Sequence, residues 1–154
     1  MYEIEILSKS GFKNVRGEHI HSQVVQLGFK DVKKISYSPL YRIEGGISAL
    51  EAKTIAAELL SDKITEMPKV RFVKSGKEEK NADASVIEVW FKKGVTDIVA
   101  ESVVKAVKDL GIMKEISVKT GHKYYLYGGI SGAQLDKIAV KLLANTLIQE
   151  YKTK

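Results

Sequence analysis

The sequence predicts an α+β protein built from two tandem βαββα units. Each is expected to be an antiparallel sheet with two helices on one face, the pair forming a pseudo-dimer within one chain. Three observations carry that prediction. Adding 83 to a residue number in the first half reaches an equivalent residue in the second, without insertion, from Ile4/Ile87 to Met67/Glu150, and 17 of those 64 pairs are identical. The shared block Gly45-Gly46-Ile47-Ser48 and Gly128-Gly129-Ile130-Ser131 pins the alignment. The apolar period also changes from two to about 3.6 in the same order in both copies. The units span 1–67 and 85–154, joined by a linker at 68–84.

Each unit opens with a strand. Tyr2, Ile4 and Ile6 alternate with Glu3 and Glu5, and Ile87, Val89 and Phe91 alternate with Glu88 and Trp90, which places one face on a core. Gly11 and Gly94 turn the chain. Asn14 and Asp97 are helix caps, because a short side-chain oxygen can accept an otherwise unsatisfied amide of the first turn. Val15, Ile20, Val24 and Leu27, and Val99, Val103, Val107 and Leu110, then recur at helical spacing until Gly28 and Gly111, where a left-handed residue stops the helix.

Two short strands are expected next, near 32–37 and 40–44 and near 115–120 and 123–127, with tight turns at Pro39 and at Gly121-His122. Ser48 followed by Glu51, and Ser131 followed by Gln134, form capping boxes that fix where the second helix of each unit starts. Leu50, Ile55, Leu59, Leu60 and Ile64, and Leu135, Ile138, Leu142, Leu143 and Leu147, supply the stripes of those helices. Within the linker, Val70 to Val73 can add an edge strand. Lys74 to Lys80, with Gly76, Glu78 and Glu79, reads as a mobile loop.

Composition bounds the chemistry. The chain has 154 residues, 44% hydrophobic and 29% charged, enough for one domain or two small ones. It has no cysteine, which excludes disulfides, thiol nucleophiles, iron–sulfur ligation and cysteine-rich zinc sites. A net charge of +6 favours anionic partners and selects none. No apolar run approaches the roughly 18 residues of a spanning helix, and the opening MYEIEILSKS alternates, so no membrane association and a cytoplasmic location are expected.

If both helices of a unit cover one sheet face, the other is bare. Alternation then points Leu7, Leu40 and Arg42 outward in the first copy and Trp90, Tyr125 and Tyr127 in the second, an aromatic patch suited to a protein interface. A unit of about 67 residues buries only a modest core, so joining of sheets, or self-association through exposed faces or edges, supplies burial that one copy lacks.

Gly45, Gly46 and Ser48, with Gly128, Gly129 and Ser131, read as turn and cap, or alternatively as anion contacts at a helix start. Neither the phosphate-loop lysine nor the dinucleotide glycine spacing accompanies them. His19, His21 and His122 read as solvent-facing polar residues, and no metal site or catalytic arrangement recurs in both copies. The repeated carboxylates Glu5/Glu88 and Glu18/Glu101 read as salt-bridging or capping groups. An RNA-recognition surface would need an aromatic–basic consensus that is absent, so nucleic acid is not expected as a partner.

The segment FKKGVTDIVAESVVKAVKDLGI at 91–112 resembles the PurS family, the small subunit of phosphoribosylformylglycinamidine synthase. The shared features are a lysine, a Gly-Val turn, an Asp-led helix and a terminal Leu-Gly. KLLANTLIQEY at 141–151 is similar to that family's closing Leu-Ala-Asn segment, and KSGF at 9–12 and QLGF at 26–29 carry a weaker likeness into the first copy. Two departures stand out: Lys13-Asn14 replaces Thr96-Asp97, and Ser61-Asp62 replaces Ala144-Asn145.

The resemblance implies a noncatalytic component of purine synthesis, bridging a large synthase subunit and a glutaminase subunit and supporting transfer of glutamine-derived ammonia. It implies no catalytic residue and no cofactor on this chain, with ATP and magnesium on the large synthase subunit. Asn145 and Tyr151, in the family-like closing segment, join Trp90, Tyr125 and Tyr127 as interface candidates. A ligand-binding regulatory module of ferredoxin-like type and an RNA binder are the competing classes.

Overall fold

The computed structural model describes residues 1–74 and 83–154; the loop expected from Lys74 to Lys80 lies, beyond Lys74, outside them. The first repeat runs β1 (Tyr2–Ser8), α1 (Val15–Gln26), β2 (Val32–Gly45), α2 (Ala49–Ile55) and β3 (Glu66–Phe72). The second runs β4 (Ser85–Phe91), α3 (Ile98–Asp109), β5 (Ile116–Gly128), α4 (Gly132–Ile138) and β6 (Gln149–Thr153). Helices α2 and α4 each continue into a π-helical turn, Ala56–Leu60 and Ala139–Leu143. The α+β class is as predicted, and the offset of 83 that aligns the sequences also aligns Tyr2/Ser85, Val15/Ile98, Ala49/Gly132 and Glu66/Gln149 as first residues of elements.

The expected caps form. Asn14 Oδ1 accepts the Gly17 amide at 2.9 Å, and Asp97 Oδ1 accepts the Ala100 amide at 3.0 Å. Ser48 with Glu51 and Ser131 with Gln134 close reciprocal capping boxes. Gly28 and Gly111 follow α1 and α3 at φ +99° and +89°, a region that disfavours any side chain.

The tight turns do not form. β2 and β5 are single long strands through Pro39 and through Gly121-His122. Two physical facts explain the misreading. The β1–β2 register ends at Glu5 opposite Leu40, so the donor that Pro39 lacks falls just past the paired residues. Gly121 has no positive φ and sits opposite Trp90, where an added Cβ would lie 2.6 Å from the indole ring. It is a glycine of close approach, not of chain reversal. The suggested edge strand at Val70–Val73 is the end of β3 as far as Phe72, while β6 has no counterpart among the predicted elements.

The strand order is β3-β1-β2-β5-β4-β6, and the registered pairs β1–β2, β1–β3, β4–β5 and β4–β6 are antiparallel. The chain divides into two compact units that cut across the boundaries 1–67, 68–84 and 85–154. One unit holds β1, β2 from Pro39 onward, α2, β3, α3 and β5 up to Thr120. Its core gathers Ile4, Ile6, Ile43, Ile47, Ala52, Ile55, Val103 and Val107. The other holds α1, β2 up to Ser38, β4, β5 from Gly121, α4 and β6. Its core gathers Ile20, Val24, Val32, Ile35, Ile87, Val89, Tyr124, Leu126, Leu135 and Ile138.

Each unit therefore has two helices over antiparallel strands, with one helix exchanged: α3 serves the first unit and α1 the second. Buried Ile20 and Val24 on α1 contribute roughly 1.5–3 kcal/mol each to the second unit. Gly17 sets how closely α1 approaches β2, because a Cβ there would meet the Ile35 carbonyl oxygen at 2.4 Å.

Candidate functional site

The second unit places the aromatic candidates on β4, β5 and β6. Along β4, Ile87 and Val89 enter the helix-side core while Val86, Glu88 and Trp90 point the other way. That second face is not bare. Trp90 is only 3% exposed and Val86 4%, and in the first unit Leu40 is fully buried. Alternation identifies which way a side chain points and not what covers it, so the expected open aromatic patch is corrected to a packed one. Tyr125 and Tyr127 are half-buried on β5, with Lys123 Nζ 5.0 Å from the Tyr125 ring centre and Lys34 Nζ 5.5 Å from that of Tyr127.

Trp90 lies over Gly121 and donates Nε1–H to Glu88 Oε2 at 3.4 Å. Glu88, 2% exposed, also receives Lys154 Nζ at 3.2 Å and stands 4.0 Å from Lys123 Nζ. A buried carboxylate needs such partners, since its desolvation is otherwise costly. The first unit meets the same need with other residues. Glu3 receives Arg42 Nε at 2.8 Å and the Arg71 guanidinium, whose Nε is at 3.0 Å. Burial acts to raise the Glu3 pKa, but the hydrogen bonds and charges of Arg42 and Arg71 outweigh it and hold the carboxyl below its ordinary 4.5.

Asn145, an interface candidate, organises a loop. Its amide donates to Gln149 Oε1 at 2.8 Å, its Oδ1 accepts from Leu147 N at 3.2 Å, and its carbonyl accepts the Ile148 and Gln149 amides. Lys92 Nζ donates to the Thr146 carbonyl at 2.6 Å and closes the loop onto the end of β4. The loop displays Leu147, which is 85% exposed.

The first repeat builds the same loop despite its Ser61-Asp62 departure. Asp62 Oδ1 accepts the Ile64 and Thr65 amides at 2.8 and 2.9 Å, Asp62 N donates to Glu66 Oε2, and Lys9 Nζ donates to the Lys63 carbonyl. Ile64 is displayed there at 73% exposure. Backbone hydrogen bonds from Ile64 and Thr65 hold the Asp62 carboxyl below its ordinary value. Tyr151, at the centre of β6, is half-buried against the second unit's core.

The paired glycine turns have a backbone reason. A Cβ on Gly45 would approach the Glu115 carbonyl oxygen to 2.5 Å, and one on Gly128 the Asp31 carbonyl oxygen to 2.1 Å, whereas Gly46 and Gly129 face open space. Ser48 and Ser131 accept the amides of Glu51 and Gln134. Glu51 already brings a carboxylate to the start of α2, and hydrogen bonds from Lys114 and from the Ser48 amide lower its pKa to about 2.

One cluster escaped the sequence reading. In the second unit, Arg16 lies 4.1 Å over the Tyr37 ring and donates to its hydroxyl at 3.2 Å, and that hydroxyl is 2.9 Å from His122 Nδ1. Asn14 ties the cluster to the α1 cap by donating to the Tyr37 carbonyl and accepting its amide. His122 is thus half-buried and bonded, not a solvent-facing turn residue; His21 likewise lies 2.8 Å from the Val32 carbonyl. The equivalent place in the first unit holds only Asp97 and Thr120, joined at 2.9–3.0 Å. The partners are too far apart in sequence for spacing to pair them.

Among the described residues, no group of three or more metal-capable side chains is gathered, and no helix is long and apolar enough to cross a membrane. No curated protein matched the chain. Residues 84–154 match the family model PurS, Phosphoribosylformylglycinamidine (FGAM) synthase. That segment contains β4, α3, β5, α4 and β6 in full, including Trp90, the Asn145 loop and Tyr151. The second repeat therefore matches the PurS family model over its whole length, a match consistent with a protein of PurS type.

Proposed function

We propose that this chain is a noncatalytic bridging subunit of the FGAM synthase complex in de novo purine biosynthesis, acting in the cytoplasm. The family match over 84–154 carries the reading, because it spans every element of the second repeat. In this reading the first repeat is a second PurS-type unit. Its support is the offset of 83, which preserves the caps, the left-handed glycines, the π-helical turns and the Asx-type loops.

The chemistry then belongs to the partners. A glutaminase subunit releases ammonia, and a large synthase subunit, binding ATP and magnesium, uses it on an activated amide. The bridging chain binds no cofactor. It contributes position: two subunits held in register keep the ammonia donor near its acceptor, an effective-concentration effect that needs no proton transfer from this chain.

The twin loops are the contact points this reading favours. Ile64 and Leu147 are large, apolar and exposed, and each rests on a loop closed by its own Asx turn and lysine, so presenting them costs little further ordering. Asn145 shapes the Leu147 loop and Tyr151 lies on the strand that follows it, while Trp90, Tyr125 and Tyr127 remain the other interface candidates of the second repeat. The chain also self-associates through a sheet edge.

The test is reconstitution. The purified chain is mixed with a large synthase subunit and a cysteine-containing glutaminase subunit, and glutamine-dependent FGAM formation is measured. The reading expects co-elution and activity that falls to background when the chain is withheld. Full glutamine-dependent activity without the chain contradicts it.

A further inference from the structure

The repeats carry the same tyrosine at equivalent places, Tyr41 in the first unit and Tyr124 in the second, but surround it with opposite charge. In the first unit the surroundings are acidic. Burial raises the Tyr41 pKa, and the charges of Glu66 and Asp97 raise it further. Neither acid is ion-paired among the described residues.

In the second unit, four equivalent positions all shift the balance the same way. Asn14 and Gln149 stand where the first unit has Asp97 and Glu66, which removes two carboxylates. Arg16 and His122 stand where it has Val99 and Pro39, which adds a guanidinium and an imidazole. Burial again raises the Tyr124 pKa, but here the charge and a hydrogen bond of Arg16 oppose it.

The arginine is held without being neutralised. Of the three arginines in the chain, Arg42 and Arg71 pair with Glu3, whereas Arg16 meets no carboxylate among the described residues. Its guanidinium lies 4.1 Å over the Tyr37 ring and donates to the Tyr37 hydroxyl at 3.2 Å. A guanidinium only donates, so the Tyr37 oxygen accepts and its proton is available to His122 Nδ1 at 2.9 Å. Tyr37 is itself fixed by Asn14 through both of its backbone groups, and its ring centre lies 5.8 Å from that of His122 and 5.4 Å from that of Tyr124. Arg16 is exposed, yet it rests on a bed of half-buried and buried rings. A surface arginine ordinarily loses rotamer freedom when it engages a partner, and this one is already ordered.

The planar fork of a guanidinium matches a carboxylate, which it can hold through two parallel N–H···O bonds. Tyr37, His122 and Asn14 already bond within the cluster, so they add little grip on a small free ion. A protein segment brings further contacts of its own, and arginine beside tyrosine is the composition that dominates binding at protein interfaces. The same carboxylate brought to the first unit would face Asp97 and Glu66 and be repelled.

We infer that the second unit docks a protein partner at the Arg16–Tyr37–His122 cluster, through one aspartate or glutamate side chain of that partner set against Arg16. The inference rests on the bridging reading, in which that partner is one of the two other subunits. The charge reversal then gives one chain two unlike places for two unlike partners.

The test is calorimetric titration of the full chain into the purified large synthase subunit and, separately, into the purified glutaminase subunit, each at low and high salt. Arg16→Glu should weaken binding to one of them at least about tenfold and leave the other unchanged. It should also flatten the salt dependence of the weakened contact. Arg16→Lys, which keeps the charge without the fork, should recover only part of the loss. Lys105→Glu makes the same change in net charge at an exposed position of the first unit and should leave both contacts unchanged. Wild-type binding of both subunits by Arg16→Glu overturns this inference alone, as does a loss shared equally by both subunits or reproduced by Lys105→Glu. A wild-type chain that binds neither subunit overturns the bridging reading, and the inference falls with it.

Discussion

The two compact units solve one problem in two ways. Each buries carboxylate side chains along its central strand: Glu3 and Glu5 in the first unit, Glu88 in the second. The first unit neutralises Glu3 with two arginines, and the second surrounds Glu88 with two lysines and the Trp90 indole. At the helix starts, the first unit has the compact Asp97–Thr120 pair where the second has Asn14, Arg16, Tyr37 and His122. Backbone devices are held in common while side-chain chemistry has diverged. The shared scaffold is thus set by left-handed glycines, caps and Asx turns, and the individuality of each unit by what fills the face those devices create.

The sharpest break of this comparison is Trp90→Ala. Trp90 fills a space over Gly121 that has no Cβ, whereas its repeat equivalent is Leu7, only partly buried, and the equivalent of Gly121 is Ser38. Chemical denaturation should show a loss of about 3–5 kcal/mol for Trp90→Ala and a clearly smaller loss for Leu7→Ala. Next in size is Gly17→Ala. Its Cβ would meet the Ile35 carbonyl oxygen, while the equivalent residue of α3 is already Ala100, so a loss of about 1–3 kcal/mol is expected at residue 17.

The carboxylates sharpen the contrast through pH. The Glu3 pKa is lower in the folded protein than its ordinary 4.5. Its contribution is therefore complete above the unfolded value and is lost as pH falls through the folded one. Urea midpoints measured at decreasing pH should decline across that acidic window, and Glu3→Gln should flatten the decline. At neutral pH the same substitution should cost about 1–3 kcal/mol, less than a fully buried pair would, because Arg42 and Arg71 are partly exposed. The smallest effects should be alike in the two units: Ser48→Ala and Ser131→Ala each remove a capping-box hydroxyl, at about 1 kcal/mol.

What was legible in the sequence follows the same division. Asn14, Asp97, Ser48, Ser131, Gly28 and Gly111 announce themselves because their roles are local, decided within four residues. Pro39 and Gly121 were misleading because each has two structural uses. A missing donor can end a register as well as make a turn, and a missing Cβ can admit an indole as well as a positive φ. The exchange of α1 and α3 was hidden by the repeat itself: Val24 and Val107 are identical, so the stripe of either helix fits the sheet of either copy. Burial of Trp90 and the Arg16–Tyr37–His122 contact depend on residues tens of positions apart, which no spacing rule connects.

The central claim is that this chain serves FGAM synthesis by position and not by its own chemistry. The direct measurement compares FGAM formation by the large synthase and glutaminase subunits using glutamine and using free ammonia, each with and without the chain. The account predicts that omission abolishes the glutamine-dependent rate and leaves most of the ammonia-dependent rate. Equal glutamine-dependent rates with and without the chain would contradict it.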